Sequence, residues 1–371
     1  MKLIVSKTTI FKTLSHLQNI VDKKNVLPIL SNILIEAEDN NIVLSSTDMD
    51  ISITEKINCN VIESGSTTIN AQIIYDIIRK LPDSSEIEII SNDGKILSLR
   101  SGESRFSLAC LPKEDFPIID QANDGKQITL DAQELGKLID KTKFAISNEE
   151  TRYFLNGLYF NATDKEKDNY ITLVGTDGHR LAKFSYLNNA KSKEIPGVII
   201  PKKTINELSK LLSERKDKIE INITSNKIVF YIDNIVLVSK LIDGNFPDYK
   251  RVIPTDNKNI LQVNRNNFLS AVDRVSTVVN EKSPVIKFKI LKNLLNVNTI
   301  DSDNNTASEN LNVEYDGDDI EIGFNSKYIM DIVNNLEDEE IYIKLKDNSS
   351  PIIANEKSNP DLIYVLMPMR V

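Results

Sequence analysis

The 371-residue sequence has no tryptophan, only two cysteines and only two histidines. Cys59 and Cys110 are too few for a disulfide framework, which favours a reducing cytoplasmic location. No stretch approaches the roughly 18 uncharged apolar residues of a membrane helix, so we expect no spanning segment. Residues 1–6 contain too short an apolar run for a secretory signal, and we expect none.

Motifs for most kinds of catalysis are also missing. His16 and His179 lie far apart, and neither belongs to an HExxH or CxxC zinc pattern. The 12 glycines form neither a Walker loop nor a dinucleotide-binding loop, and GxSxG is absent. We therefore expect a protein that is not an enzyme and that needs no metal or cofactor.

Acidic clusters at 48–50, 301–303 and 316–319 leave one alternative open. Aspartate favours turns and tolerates left-handed backbone, so these clusters are interpreted as turns. They lack the full spacing of an EF-hand with its closing glutamate. The alternative is a metal-dependent module or enzyme that uses these carboxylates together with His179.

The chain contains a threefold internal repeat. An amphipathic run, an acidic turn and a strand-like run recur at 75–89, 206–221 and 330–343. The leucines that end the three amphipathic runs, Leu81, Leu212 and Leu336, lie 131 and 124 residues apart. The pairs Phe-Pro at 116 and 246 and Thr-Asp at 47 and 176 recur at nearly the same offset. The repeat predicts three domains of one kind.

Each repeat also opens with a helix-like stretch. Ile10, Leu14, Leu17 and Val21 form one apolar stripe in the first repeat, and similar stripes follow in the other two. β-branched runs such as 42–44, 171–174, 228–238 and 286–290 predict strands. The fold class is therefore α+β, with two helices packed on antiparallel sheets in each domain. Polar stretches predict domains at 1–122, 127–253 and 257–371.

Charge is distributed unevenly along this acidic chain, whose net charge is -9. The predicted helices 7–24, 71–81, 131–143, 202–218, 264–282 and 325–336 together carry +8, and the remainder carries -17. One interpretation is that lysine is well tolerated in helices and that aspartate collects in turns. The other interpretation is that the helices line a surface that faces phosphates, without base readout.

Several motifs resemble those of one known family. They are RYFLNG at 152–157, TDGHRL at 176–181, FPDY at 246–249 and MPMR at 367–370, with SRFSL at 104–108 and NEK at 280–282 in support. Together they resemble bacterial DNA polymerase III beta subunits, the sliding clamps of DNA replication. The resemblance implies three clamp-type domains per chain and a head-to-tail homodimer that closes as a six-domain ring around duplex DNA.

The resemblance also implies where DNA is contacted. The matching positions are Lys24, Tyr153, Phe154, Lys202 and Lys203. Gln72 and Glu149 depart from the expected pattern, and both predict weaker phosphate contacts. For Phe154, packing in the core is an equally good interpretation.

A cleft for short peptides is implied between the middle and last domains. The matching residues are Leu155, Thr176, Gly178, His179, Arg180, Leu181, Pro247, Arg251, Val252, Asn325, Tyr328, Val365, Leu366, Met367, Pro368, Met369 and Arg370. Their apolar members suit leucine or phenylalanine anchors, and Arg180 and Arg370 are expected to hold the polar end of the peptide. Taken alone, a residue such as His179 is more often a structural histidine, and a segment such as 367–369 an ordinary buried terminal strand.

The dimer interface implied by the resemblance joins Phe106 and Leu108 of one chain to Thr277 and Val278 of the other. Glu103 and the loop at 302–309 do not show the charge pattern expected there. The implied partners are double-stranded DNA, the DNA polymerase III catalytic subunit, the clamp loader complex and other proteins that carry clamp-binding peptides. A repeat-built scaffold that binds peptides but not DNA is a third hypothesis.

Overall fold

The computed structural model describes residues 1–21, 27–117, 125–165, 168–188, 195–213, 215–279, 284–300 and 305–370. The predicted DNA contact Lys24 and the NEK motif at 280–282 lie outside these residues. The chain divides into two compact units, chiefly Met1–Gly136 with Lys203–Leu241, and Lys137–Asn189 with Ile242–Val371. Among the described helices, none has the length and apolar character that crossing a lipid bilayer requires.

The first repeat begins with a strand followed directly by a helix. Its elements are β1 (Lys2–Ser6), α1 (Lys7–Leu17), β2 (Asn32–Glu38), β3 (Asn41–Thr47), β4 (Ile51–Asn58), β5 (Asn60–Glu63), β6 (Gly65–Asn70), α2 (Ala71–Lys80), β7 (Glu86–Ser91), β8 (Ile96–Ser101) and β9 (Ser104–Ala109). Both helices begin at a polar side chain: the Ser6 hydroxyl accepts a hydrogen bond from the Thr9 N–H, and Asn70 Oδ1 accepts one from the Ile73 N–H. These caps satisfy backbone donors that a helix start leaves unpaired.

The second and third repeats use nearly the same element order. The second contains β10 (Lys126–Asp131), α3 (Ala132–Thr142), β11 (Gly157–Lys165), β12 (Asp168–Thr176), β13 (Arg180–Leu187), β14 (Ile195–Pro201), α4 (Lys202–Leu212), β15 (Lys218–Ile223), β16 (Lys227–Ile232) and β17 (Ile235–Lys240). The third contains β18 (Asn259–Asn264), α5 (Arg265–Ser276), β19 (Val285–Leu291), β20 (Leu294–Ile300), β21 (Thr306–Asn312), β22 (Ile320–Asn325), α6 (Ser326–Asn334), β23 (Glu340–Leu345), β24 (Ile352–Asn355) and β25 (Leu362–Leu366). The three predicted helix–turn–strand units are α2–β7, α4–β15 and α6–β23.

Some predicted bounds were wrong. The predicted helices 7–24, 202–218 and 264–282 are too long: α1 ends at Leu17, α4 at Leu212 and α5 at Ser276. The predicted strand 228–238 is the hairpin β16–β17, which turns at Asp233 with a positive φ of 56°. Lysine is as compatible with the loop after a helix as with its last turn, so composition did not mark these ends. The six observed helices carry a net charge of +6, and the rest of the chain carries -15.

The first unit contains two antiparallel sheets. One has the strand order β5-β1-β7-β8-β9, and the other has the order β10-β15-β16-β17-β4-β3-β2-β6. Helix α1 packs on β1, β3 and β4 and against α2. Its predicted stripe residues Ile10, Leu14 and Leu17 are fully buried, which confirms the amphipathic pattern.

The second unit also contains two antiparallel sheets, with the orders β14-β11-β12-β13-β25-β24-β23-β18 and β21-β20-β19-β22. Helix α5 packs on β18, β19, β20 and β21 and against α6. Phe268, Val272 and Val275 on α5 are buried in the same core as Phe288 and Phe324. The α+β class with two helices on antiparallel sheets in each repeat is therefore confirmed.

Both eight-stranded sheets join two repeats by the same rule. In the first unit, β17, the last strand of the second repeat, pairs with β4, the fourth strand of the first repeat. In the second unit, β25, the last strand of the third repeat, pairs with β13, the fourth strand of the second. Within the described ranges, the last strand of the first repeat, β9, and the fourth strand of the third, β21, each pair with one neighbour only. The outer edge of one last strand, β9, and the outer edge of one fourth strand, β21, therefore remain without a partner strand among the described residues.

Candidate functional site

The turn between β12 and β13 carries the TDGHRL motif and is fixed by its own side chains. Thr176 Oγ1 donates to the Arg180 carbonyl at 2.7 Å and accepts from the Gly178 N–H at 3.1 Å. Asp177 Oδ1 accepts from the N–H groups of His179 and Arg180 at 2.9 and 3.0 Å. Gly178 has a φ of +88°, a conformation that favours glycine. The motif residues therefore specify a rigid turn.

The acidic cluster at 48–50 forms the same turn in the first repeat. Thr47 Oγ1 donates to the Ile51 carbonyl at 2.9 Å, and Asp48 Oδ1 accepts from the N–H groups of Asp50 and Ile51. Met49 takes the place of the glycine, with a φ of +80°. In the described part of the chain, no group of three or more histidine, cysteine, aspartate or glutamate residues could hold a metal ion. This cluster is turn chemistry, as interpreted from the sequence.

A mostly apolar cavity of about 260 Å³ lies beside the TDGHRL turn, within the second unit. Ten of the predicted cleft residues line it: Leu155, Thr176, Gly178, His179, Arg180, Leu181, Pro247, Val252, Val365 and Met367. The floor is the apolar cluster that includes Leu181 and Val365, both buried. A cavity of this size and character accommodates one or two large apolar side chains.

Four cavity residues were not assigned to the cleft from the sequence: Arg152, Phe154, Asp248 and Tyr249. All four lie in motifs that the sequence singled out, RYFLNG and FPDY, so the motif signal was available. Tyr249 is buried, and this burial, together with Tyr159 and Asp248 nearby, raises the pKa of its phenol. The Tyr249 side chain therefore presents an uncharged hydroxyl at neutral pH.

Phe154, for which DNA contact and core packing were the two interpretations, lies at the apolar cavity. The ring is half-buried, lines the cavity and lies edge-on to Tyr153 at a centroid distance of 5.8 Å. Tyr153 is 54 % exposed and lies outside the cavity lining. The two neighbours thus point to different surroundings, because a short 3₁₀ segment at Glu150–Leu155 sends successive side chains to different sides.

Arg180 is held by an internal network. Its guanidinium donates to Asp177 at 3.1 Å, to Asp331 at 2.5 Å and to the Phe144 carbonyl at 2.8 Å. It also lies over the Tyr328 ring at 4.3 Å from the centroid. Three hydrogen bonds and little exposure make Arg180 a link between β13 and α6. The prediction that it holds the polar end of a peptide is not supported by this geometry and stays untested.

The remaining predicted cleft residues lie outside the cavity lining. Tyr328 lies under Arg180 and near the His179 ring, Asn325 caps α6, and Leu366 belongs to the buried core. Arg251 is strongly exposed and pairs with Asp248 at 2.9 Å. Pro368, Met369 and Arg370 follow β25, and the Met369 N–H donates to the Gly323 carbonyl at 2.8 Å. They belong to the same unit but to a surface next to the cavity.

His179 and 367–369 do not match the structural alternatives. His179 is exposed, and its ring faces Tyr328 at a centroid distance of 6.4 Å. Met367 is half-buried and bonds to the His179 carbonyl through its N–H at 2.9 Å, and Met369 is 37 % exposed. A core histidine and a fully buried terminal strand would both be inaccessible, and neither of these segments is.

The predicted DNA-contacting lysines differ in their environments. Lys202 Nζ donates to Asn148 Oδ1 at 2.6 Å in an exposed position. Lys203 pairs with Asp48 at 2.5 Å and donates to the Ile20 carbonyl at 2.8 Å, within the first unit. The Asp48 side chain is only 9 % exposed. Lys203 therefore stabilises the Thr47–Asp48 turn through these contacts within the first unit.

Gln72 and Glu149, which departed from the family pattern, each contact a side chain nearby in the sequence. Gln72 Nε2 donates to Asp76 at 2.7 Å on the exposed face of α2. Glu149 pairs with Arg152 at 2.6 Å. This pairing partly neutralises the negative charge that was expected to repel DNA at Glu149.

The predicted interface residues lie on accessible surfaces. Phe106 and Leu108 are half-exposed on the free strand β9. Thr277 is exposed at the end of α5, where its hydroxyl donates to the Asp273 carbonyl, and Val278 is half-buried. On the free strand β21, Glu309 forms two hydrogen bonds with Arg274 of α5, at 3.0 and 2.5 Å. This pairing holds the pKa of the Glu309 carboxyl below its usual range.

Comparison with known proteins covers the whole chain. The family models for the DNA polymerase III beta subunit match in three parts: the N-terminal domain at residues 1–120, the central domain at 129–248 and the C-terminal domain at 250–370. The beta sliding clamp of Caulobacter vibrioides is 38% identical over 372 residues, and that of Escherichia coli K12 is 32% identical, each with 100% of both chains covered.

Solved structures of sliding clamps also resemble the chain over its whole length. The Bartonella birtlesii DnaN sliding clamp bound to griselimycin has a TM-score of 0.96 at 41% identity, with 100% of both chains covered. Caulobacter crescentus pol III beta has a TM-score of 0.94 at 39% identity, again with 100% of both chains covered. These likenesses extend over all three repeats.

Proposed function

The chain belongs to the DNA polymerase III beta subunit family, and from that membership we propose how its three clamp domains work. The protein is a non-catalytic DNA sliding clamp that confers processivity on DNA polymerase III. We propose that two copies close head to tail into a ring, and that domains 1–122, 127–253 and 257–371 are its units. The observation that carries this proposal is the pair of matching free edges, β9 and β21.

Ring closure follows from the rule by which the repeats are joined. A last strand pairs with a fourth strand at both internal junctions. Within the described residues, β9 and β21 do not pair with each other, so a second copy is needed to apply the rule again. Each strand then gains a row of backbone hydrogen bonds that an exposed edge lacks.

The register of this closure can be worked out from the repeat. Leu237 lies opposite Ile53 at the first junction, and Tyr364 lies opposite Ala182 at the second. Counting from the helix starts and hairpin turns, the corresponding residues are Phe106 on β9 and Ala307 on β21. We propose that Phe106 lies opposite Ala307 of a second copy, with Leu108 toward the α5 end that carries Thr277 and Val278.

Binding of double-stranded DNA is proposed to use charge and topology instead of base contacts. The helices carry +6 within a chain of net charge -9, so helices that line the hole would present cations to phosphates. Half-buried Lys202 and exposed Tyr153, together with Lys24, are the proposed contacts. Each lysine–phosphate contact can be exchanged for the next along the duplex, which permits sliding.

The apolar cavity is the proposed docking site for the polymerase catalytic subunit, the clamp loader complex and other clamp-binding proteins. A short peptide places leucine or phenylalanine anchors against Leu155, Leu181 and Val365, while Met367 adapts to their shape. We propose Arg152 for the polar end, because it is half-buried at this cavity and pairs with the exposed Glu149, whereas two carboxylates and a carbonyl hold Arg180. Tethering raises the effective concentration of the polymerase at the primer end. We also propose a cytoplasmic location, where the bacterial chromosome lies.

Cysteine cross-linking tests the closure. In a variant with Cys59 and Cys110 replaced by serine, Phe106→Cys and Ala307→Cys together should give a covalent dimer on mild oxidation, since opposed residues of an antiparallel pair lie within disulfide reach. The matched control carries Ser104→Cys with Ala307→Cys, which the register places out of reach. Efficient cross-linking of the control, or only long linear polymers from the test variant, would contradict the proposed closure.

A further inference from the structure

A second cavity lies beside the apolar one and shares Tyr249 with it. Its volume is about 290 Å³. Polar and apolar groups line it in similar measure, whereas the first cavity is mostly apolar, and we call it the polar compartment. The 3₁₀ segment Tyr249–Val252 lies at both cavities: Val252 lines the first, Lys250 the second and Tyr249 both. The two cavities are therefore neighbouring compartments separated by one turn of chain.

One face of the β-sheet forms the floor of both compartments. On β13, Leu181 lines the apolar cavity and Lys183, two residues further along, lines the polar one. On β12, Thr176 lines the apolar cavity and Thr172, four residues earlier, lines the polar one. Residues two or four apart on a strand share a face, and four residues span about 13 Å. A peptide extended along these strands could occupy both compartments.

The polar compartment has the chemistry to receive a carboxylate and a backbone N–H. Lys183 and Lys250 line it together with one opposing carboxylate, that of Asp361. Asn161 Oδ1, also in the lining, is a buried acceptor without a hydrogen-bond partner among the described residues. A buried acceptor without a donor is less favourable than a satisfied one, so a donor from a ligand has a defined place.

We propose that this compartment binds an acidic side chain that flanks the apolar anchors of a clamp-binding peptide, about four residues from them. The two lysines take the carboxylate, and Asn161 accepts a backbone N–H of the peptide. This inference rests on the proposed peptide cleft. The acidic side chain would set the order of affinity among partners whose apolar anchors are similar. Partners with glutamate or aspartate at that distance bind more tightly than partners with glutamine or lysine.

Fluorescence polarisation with the full-length protein tests the proposal. The probes are a labelled peptide with a Leu-Phe anchor pair, and extended forms that carry glutamate four residues before or four residues after the anchors. One of the two glutamate peptides should bind about threefold more tightly than its glutamine counterpart at low salt, the range of a solvent-accessible ion pair. The gain should shrink as salt is raised.

Variants locate the effect. Lys183→Gln with Lys250→Gln should abolish the glutamate gain, and Asp361→Asn should increase it, while all variants bind the anchor-only peptide as the parent does. Lys292→Gln, on the exposed turn between β19 and β20, is the matched control and should leave the gain intact. Equal affinity for glutamate and glutamine peptides, or a gain that survives in the double variant, would overturn the proposal. Failure of the anchor-only peptide to bind would instead overturn the cleft assignment.

Discussion

Replacing Gly178 by alanine adds a single methyl group at the cleft. At a φ of +88°, an alanine costs about 1–2 kcal/mol in the folded state, and the stiffer unfolded chain offsets about 0.4–1 kcal/mol of this. The added Cβ would also lie 2.5 Å from Arg152 Nη1, so the guanidinium must move. We expect a net loss of about 1 kcal/mol in stability and about fivefold weaker binding of an anchor peptide.

A double-mutant cycle separates the two effects. In an Arg152→Ala background the clash is gone, so Gly178→Ala should still lower the calorimetric Tm but should no longer weaken peptide binding. Met49 supplies an internal comparison, because it occupies the same turn position in the first repeat with a φ of +80°. Met49→Gly should stabilise the protein by about as much as Gly178→Ala destabilises it. A higher Tm for Gly178→Ala, or equal loss of binding with and without Arg152, would refute this reasoning.

Two further predictions concern charged groups outside the cleft. Lys203→Met leaves the nearly buried Asp48 carboxylate without its cation, so it should cost about 1–3 kcal/mol of stability, seen as a lower Tm. The salt dependence of DNA binding should stay that of the parent protein. A smaller salt dependence with an unchanged Tm would make Lys203 a phosphate contact instead. The depressed pKa of Glu309 means that its pairing with Arg274 stabilises the protein above the ordinary glutamate pKa, and that this contribution is lost as the pH falls through the lowered value. The Tm difference between parent and Glu309→Gln should therefore be present at pH 7 and vanish in acid, and a difference independent of pH would contradict it.

The repeat and the local patterns were predictable from the sequence because they depend on short-range spacing. The stripe Ile10, Leu14 and Leu17 is buried as expected, and the helix–turn–strand units lie where their periodicity placed them. The motif TDGHRL contains the groups that fix its own turn, so the form of this turn could be predicted from the motif. Ten residues that the family resemblance assigned to the cleft line the cavity.

Long-range pairings were not predictable from spacing. Arg180 is occupied by Asp331, which lies 151 residues away, and Lys203 by Asp48, which lies 155 residues away. A basic residue in a binding motif has the same local pattern whether its partner is a ligand or a distant carboxylate. The choice of β4 by β17 and of β13 by β25 is likewise a non-local pairing that strand periodicity does not encode.

Negative-stain electron microscopy of the purified protein at micromolar concentration shows whether two chains close into a ring. We expect two-chain particles with an open central channel, closed by two copies of the β9–β21 contact. Compact single chains, or open filaments of head-to-tail chains without a channel, would contradict it.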